Sequence, residues 1–137
     1  MAIKYSTRFL LVLTLACCIS AAYYANYAIH YRKAQIVYYY EQLTEHMAPG
    51  SSRPNIPFNQ ASLYFEEHSQ DIALLDDVLH DQDPWRRWIA AKTMGGYGER
   101  ACISFLRKRL EIEKTKYVRS RISQAIEELI QRTAYGG

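Results

Sequence analysis

Beyond its first segment, this chain carries its apolar residues in helical runs, and the pattern occurs twice. Ile72, Leu74, Leu75 and Leu79 form one such run; Ile103, Phe105, Leu106 and Leu110 repeat it 31 residues on. Each run precedes a second amphipathic stretch. The first is Asp83-Pro84-Trp85-Arg86-Arg87-Trp88-Ile89-Ala90-Ala91-Lys92-Thr93-Met94-Gly95, and a weaker copy, Thr115 to Glu127, follows 32 residues later. Self-similarity at a period of 20 to 50 residues marks stacked repeats, and each repeat here reads as two helices. No segment alternates with the two-residue period of a strand. The predicted fold is all-α: a short α-solenoid of two helical hairpins behind an N-terminal helix.

Local signals place the boundaries. Asp83-Pro84 predicts a helix start, with a capping carboxylate and a proline where no amide is missed. Gly95-Gly96-Tyr97-Gly98 predicts its end, through the left-handed conformation glycine takes readily. Asn59 is a predicted cap for a short helix through Ser62, Leu63, Phe65 and Glu66, and Ser69 for the next, with Ile72, Leu75, Val78 and Leu79 inward. Further helices are expected from about Glu99 to Leu110 and from about Lys116 to Arg132. The last carries Val118, Ile122, Ala125, Ile126, Leu129 and Ile130 as its stripe.

The first segment differs. After a basic start over residues 1–8, Phe9 to Ile29 holds 21 residues without Asp, Glu, Lys, Arg or His. About 20 apolar residues cross a bilayer core as a helix. Tyr23, Tyr24, Tyr27 and Tyr31 cluster at its far end, where amphipathic rings favour the headgroup layer. This predicts a single-pass anchor over residues 9–29. The alternative is a signal peptide cleaved after Ser20-Ala21-Ala22, giving a secreted protein. Charges flanking the segment are balanced, and the basic start followed at once by apolar residues favours an exported, periplasmic or extracytoplasmic repeat domain. Residues 30–47 continue as an amphipathic juxtamembrane helix with Ile29, Ile36, Tyr40, Leu43 and Met47 in step and Lys33 as the odd member. That stripe serves either a self-association seam or packing on the chain's own repeats. Residues 48–59, with three prolines, a glycine and two serines, predict an exposed linker. The repeat domain is expected over residues 60–133.

Net charge is only +3, but the charges are segregated. Glu66 to Asp83 holds seven acidic residues and no Lys or Arg; Arg86 to Arg121 holds eleven basic residues against three acidic ones. Three cysteines do not complete a disulfide framework, and Cys102 reads as a buried filler. The histidines show no ligand spacing, so no metal is expected, although His80 lies among Asp76, Asp77, Asp81 and Asp83. No nucleophile sits beside a base. The glycine cluster closes a helix rather than opening one, the wrong polarity for holding phosphate. These features argue against an enzyme and against any cofactor.

Asp81-Gln82-Asp83-Pro84, with Arg87, Ala90-Ala91 and Met94-Gly95, resembles the HEAT-like repeats of the class shared with phycobilin-lyase-type proteins. Val118-Arg119 and Ala125-Ile126 echo the same pattern, and the likeness covers about residues 69–131. Arg86, Trp88 and Ile89 depart from it, so Trp85 is a candidate to turn inward. The resemblance implies structural, repeat-joining roles for Asp83, Arg87 and Arg119, with Gly95 closing the motif.

Together these readings point to a membrane-anchored protein–protein interaction module. Arg107, Arg109, Lys116 and Arg121 are the candidate polar contacts, taken from a basic cluster that also includes Lys108, Lys114 and Arg119. Trp85 and Trp88 are candidate aromatic anchors. The partner is an unidentified protein; nucleic acid is disfavoured if the domain is exported. Two alternatives stand beside this: an oligomeric membrane scaffold, with the chain as a homo-oligomer, or an accessory subunit of a lyase-like enzyme by analogy alone.

Overall fold

The Asp83 carboxylate accepts the Trp85 amide at 2.9 Å, and Pro84 takes the first helical position beside it. A helix therefore starts where the dipeptide signals it. The computed structural model describes residues 6–47 and 56–136, apart from the side chains of His46, Ile56, Pro57 and Phe58. Those residues form helix α1 (Thr7–Met47), α2 (Ile56–Glu67), a 3₁₀ helix (Ser69–His80), α3 (Pro84–Tyr97), α4 (Cys102–Ile112) and α5 (Lys116–Tyr135). No strand occurs among them, and the fold is all-α.

The chain divides into two units, Met1–Arg32 and Lys33–Gly137. In the first, α1 is apolar and exposed: Leu11, Val12, Leu15 and Ile19 are uncovered, as are Tyr23, Tyr24, Tyr27 and Tyr31. At 1.5 Å per residue, Phe9 to Ile29 extends about 32 Å, enough for a hydrocarbon core of about 30 Å. By length and composition this helix suits either a membrane span or a signal sequence.

The second unit is a stack of hairpins. The 3₁₀ helix pairs with α3, and α4 with α5; between hairpins, α3 lies on α5 and the 3₁₀ helix on α4. First helix meets first helix and second meets second, the arrangement of a short α-solenoid. Its core holds Ile72, Leu75, Leu79, Ile89, Met94, Leu106, Val118, Ile122 and Leu129, all fully buried. Cys102 is among them, and burial raises its thiol to about 11.

Several local expectations are revised. The helix after Ser69 is 3₁₀, and the reason lies in its spacing: Ile72, Leu75 and Val78 are three apart and buried. Three residues per turn place such residues in one column. Rising about 2.0 Å per residue, its 12 residues span roughly 24 Å, enough to cover α3 end to end. Ser69 does not cap it; its hydroxyl donates to Glu99 at 2.9 Å instead. The glycines closing α3 do not adopt a left-handed backbone: Gly98 is extended, at φ −72° and ψ 167°. Gly95 is needed for closeness. A Cβ there would stand 2.8 Å from the Ala125 Cβ and 2.6 Å from Glu128 Oε2.

The compact unit also starts earlier than residue 60. Ile36, Tyr40 and Leu43 of α1 are buried in its core, and Lys33 pairs with Asp77. Three positions of the amphipathic stripe are thus covered within the chain, Met47 is half-buried, and Ile29 stays exposed. Residues 48–55 of the expected linker lie outside the described residues, and Ile56 to Asn59 belong to α2.

Candidate functional site

Arg87 and Arg119 occupy equivalent positions in the two hairpins, and both brace a turn. Arg87 Nη1 donates to the Asp81 and Gln82 carbonyls at 2.8 and 2.9 Å. Arg119 Nη1 donates to the Glu113 and Leu110 carbonyls, each at 2.8 Å. Asp81 and Glu113 are equivalent too. Asp81 Oδ1 accepts the Asp83 amide, and Glu113 Oε1 the Thr115 amide, both at 2.9 Å. Each carboxylate ties down the amide two residues on, where α3 or α5 begins.

The remaining nitrogens of Arg87 join the hairpins. Nε donates to Glu113 Oε2 at 2.7 Å and Nη2 to Oε1 at 2.9 Å, a bidentate pair with side chains 9% and 1% exposed. Arg109 donates to the same carboxylate, Nε at 3.0 Å and Nη2 at 2.9 Å. Burial pushes the Glu113 carboxyl up. The bonds from Arg87, the Thr115 amide and Arg109 outweigh it and hold the group well below the usual carboxylate range. Asp81 is likewise lowered, its burial outweighed by the Asp83 amide and Arg86. Arg86 lies between Asp81, at 2.8 Å from Nε, and Glu41 of α1, which Nη1 reaches at 2.9 Å and Nη2 also contacts. The Tyr40 hydroxyl donates to the Arg86 carbonyl at 2.5 Å.

These pairings sort the predicted surface. Arg109 is held by Glu113 and 13% exposed; Arg121 is held by Glu128 and 11% exposed. Neither presents a free charge. Arg107 and Lys116 are exposed, together with Lys108 and Lys114, and no described carboxylate meets them. Trp85 and Trp88 are half-buried and stack with ring centres 5.0 Å apart, while Lys92 Nζ lies 5.3 Å above Trp88. Trp85 does turn partly inward: its Nε1 is buried without a partner. Asp83 is a cap and Gly95 a contact point, as described above.

Shallow grooves open on the second unit. One of about 530 Å³ lies between the start of α4 and the end of α5, lined by Ile103, Ile130, Arg100 and Arg107 among others. Another of about 500 Å³ is bordered by Leu43 and Met47 of α1, Lys92 and Tyr97 of α3, and Arg121 and Arg132 of α5. Arg132 is engaged there, donating to the Gly98 and Gly95 carbonyls. Among the described residues, no three His, Cys, Asp or Glu side chains come close enough to hold a metal ion. Asp77 and Asp81 of the acidic run are taken by Lys33 and Arg86.

Sequence reasoning missed Glu113, Glu41 and Arg86 as cohesion residues. The first was recoverable: it lies one repeat after Asp81, and both precede the motif arginine by six positions. Glu41 carried no such signal. No family model, curated protein or solved structure matches this chain.

Proposed function

We propose that the chain is a membrane-anchored interaction module, in which a HEAT-like pair of hairpins offers a basic face to an acidic protein partner. The observation that supports this reading is the division of labour among its arginines. Those that join the hairpins, Arg87 and Arg109, are held by the Glu113 carboxylate. Arg100, Arg107, Lys108, Lys114 and Lys116 remain exposed on one hairpin with no described carboxylate in contact. Unpaired cations concentrated on one hairpin raise a local potential that attracts an acidic partner. The groove between α4 and α5 is lined by Ile103 and Ile130, apolar groups of the kind an interface core needs. The N-terminal helix serves as the anchor, with the hairpins on the exported side.

The test is cross-linking in intact membranes, comparing the native chain with an Arg107→Glu, Lys116→Glu variant of unchanged melting temperature. A partner with an acidic surface is captured by the native chain and lost from the variant. Equal capture by both would place docking elsewhere. A membrane-impermeant thiol reagent acting on Lys114→Cys in whole cells reads the sidedness: labelling is expected, and labelling only after lysis refutes export.

A further inference from the structure

The two turn-bracing arginines differ in one respect. Arg87 spends Nη1 on the carbonyls of its own turn and uses Nε and Nη2 to grip Glu113 of the next hairpin. Arg119, one repeat later, spends Nη1 the same way. Among the described residues, no carboxylate meets its Nε or Nη2, and its side chain is exposed. We propose that Arg119 is a docking fork for a carboxylate side chain of the protein partner, taking the place that Glu113 holds on Arg87. This rests on the interaction-module reading and names the residue that would recognise the partner and the chemistry it reads.

Three features support a carboxylate carried on a peptide segment. The guanidinium is held by two carbonyls, so little freedom is lost on binding. A planar fork with two parallel donors matches a carboxylate bidentately, and its equivalent in this chain already does so. In the turn that Arg119 braces, between Leu110 and Thr115, Ile112 is exposed at 57%, and Lys114 with the following Lys116 are exposed cations. The surface therefore fits an acidic side chain with apolar neighbours. A third hairpin stacked in the same register does not fit. α5 approaches α3 closely because position 95 is glycine, and the equivalent position in α5 is the exposed Glu127. The occupant is a segment that reaches the turn without helix-on-helix contact.

The probe is a displayed library of random 12-residue peptides, selected on the full chain in neutral detergent micelles. Selected peptides are expected to share one acidic position. Their affinity should fall about tenfold or more when that residue becomes its amide, and likewise in Arg119→Gln and Arg119→Lys, while Lys92→Gln leaves it unchanged. Arg119→Lys keeps the charge and loses the fork, so wild-type affinity in that variant would overturn the proposal. So would selection without a shared acid, or a loss in Lys92→Gln equal to that in Arg119→Gln. Vesicles containing phosphatidylserine that compete through Arg119, with no peptide selected, would assign the fork to lipid and equally refute it. If either Arg119 variant unfolds, the wild-type Arg119 Nε–H resonance decides: it shifts on addition of the acidic peptide and stays put with the amide. Capture at Arg107 and Lys116 in membranes with no acidic selection sinks the fork alone. Acidic selection without that capture sinks the proposed basic face and spares the fork.

Discussion

Replacing Arg87 with Met should cost the second unit much of its stability, and replacing its partner as well should return part of that loss. Glu113 is 1% exposed and accepts five hydrogen bonds, two of them from Arg87. Arg87→Met leaves the carboxylate to Arg109 and the Thr115 amide, and it also strips the Asp81 and Gln82 carbonyls of their donor. Breaking a buried pair by removing one member costs about 3–5 kcal/mol. Because Arg109 still compensates the charge, the lower end, about 3 kcal/mol, is the expected value. For a domain of this size, about 1 kcal/mol moves the melting temperature by roughly 4–8 °C, so the shift should be roughly 12–24 °C. The full chain in detergent, followed by circular dichroism on heating, gives the readout. The double variant Arg87→Met, Glu113→Leu removes both charges of the pair but leaves Arg109 and the Thr115 amide without their acceptor, so it recovers only part of the loss. The double variant should therefore melt above Arg87→Met alone, with a coupling of about 1–3 kcal/mol in the cycle. A coupling near zero, or an Arg87→Met shift under about 4 °C, would refute the claim that this pair joins the hairpins.

Gly95→Ala should destabilise by about 1–3 kcal/mol, because its Cβ meets α5 backbone. Gly96→Ala, whose Cβ meets nothing within 4 Å, should be neutral or stabilising by up to about 1 kcal/mol; denaturant midpoints compare the two. Stability should fall as pH drops below the ordinary glutamate value of 4.5, because the Glu113 carboxyl is lowered in the folded chain. The folded state binds fewer protons there, so acid favours unfolding, with the contribution fully present above that value. In Glu113→Gln, unfolding titrations across this range should lose that part of the slope. In a Cys17→Ser, Cys18→Ser background, Cys102 should resist maleimide at neutral pH until denaturant opens the core, as its burial and raised thiol require. Prompt labelling in the folded state would contradict that placement.

Local chemistry carried much of this in the sequence. The apolar run from Phe9 to Ile29 is a property of composition, and Asp83-Pro84 starts its helix through contacts two residues away. The 32-residue repeat announced two equivalent hairpins because each must bury the same face. Burial of Cys102 was legible for the same reason. Partner choice was not legible, because a charge pattern along a chain says nothing of which charges meet across space. Arg109 and Arg121 looked as available as Arg107 and Lys116. Yet Glu113 and Glu128 claim that first pair along its own helices, four and seven positions on, whereas the grip of Arg87 on Glu113 needed the stacking. Packing between helices also decided that Gly95 serves closeness rather than a turn, and that Ile36, Tyr40 and Leu43 of α1 lie in the chain's own core. Both depend on distances between residues far apart in sequence, which periodicity along one segment does not encode.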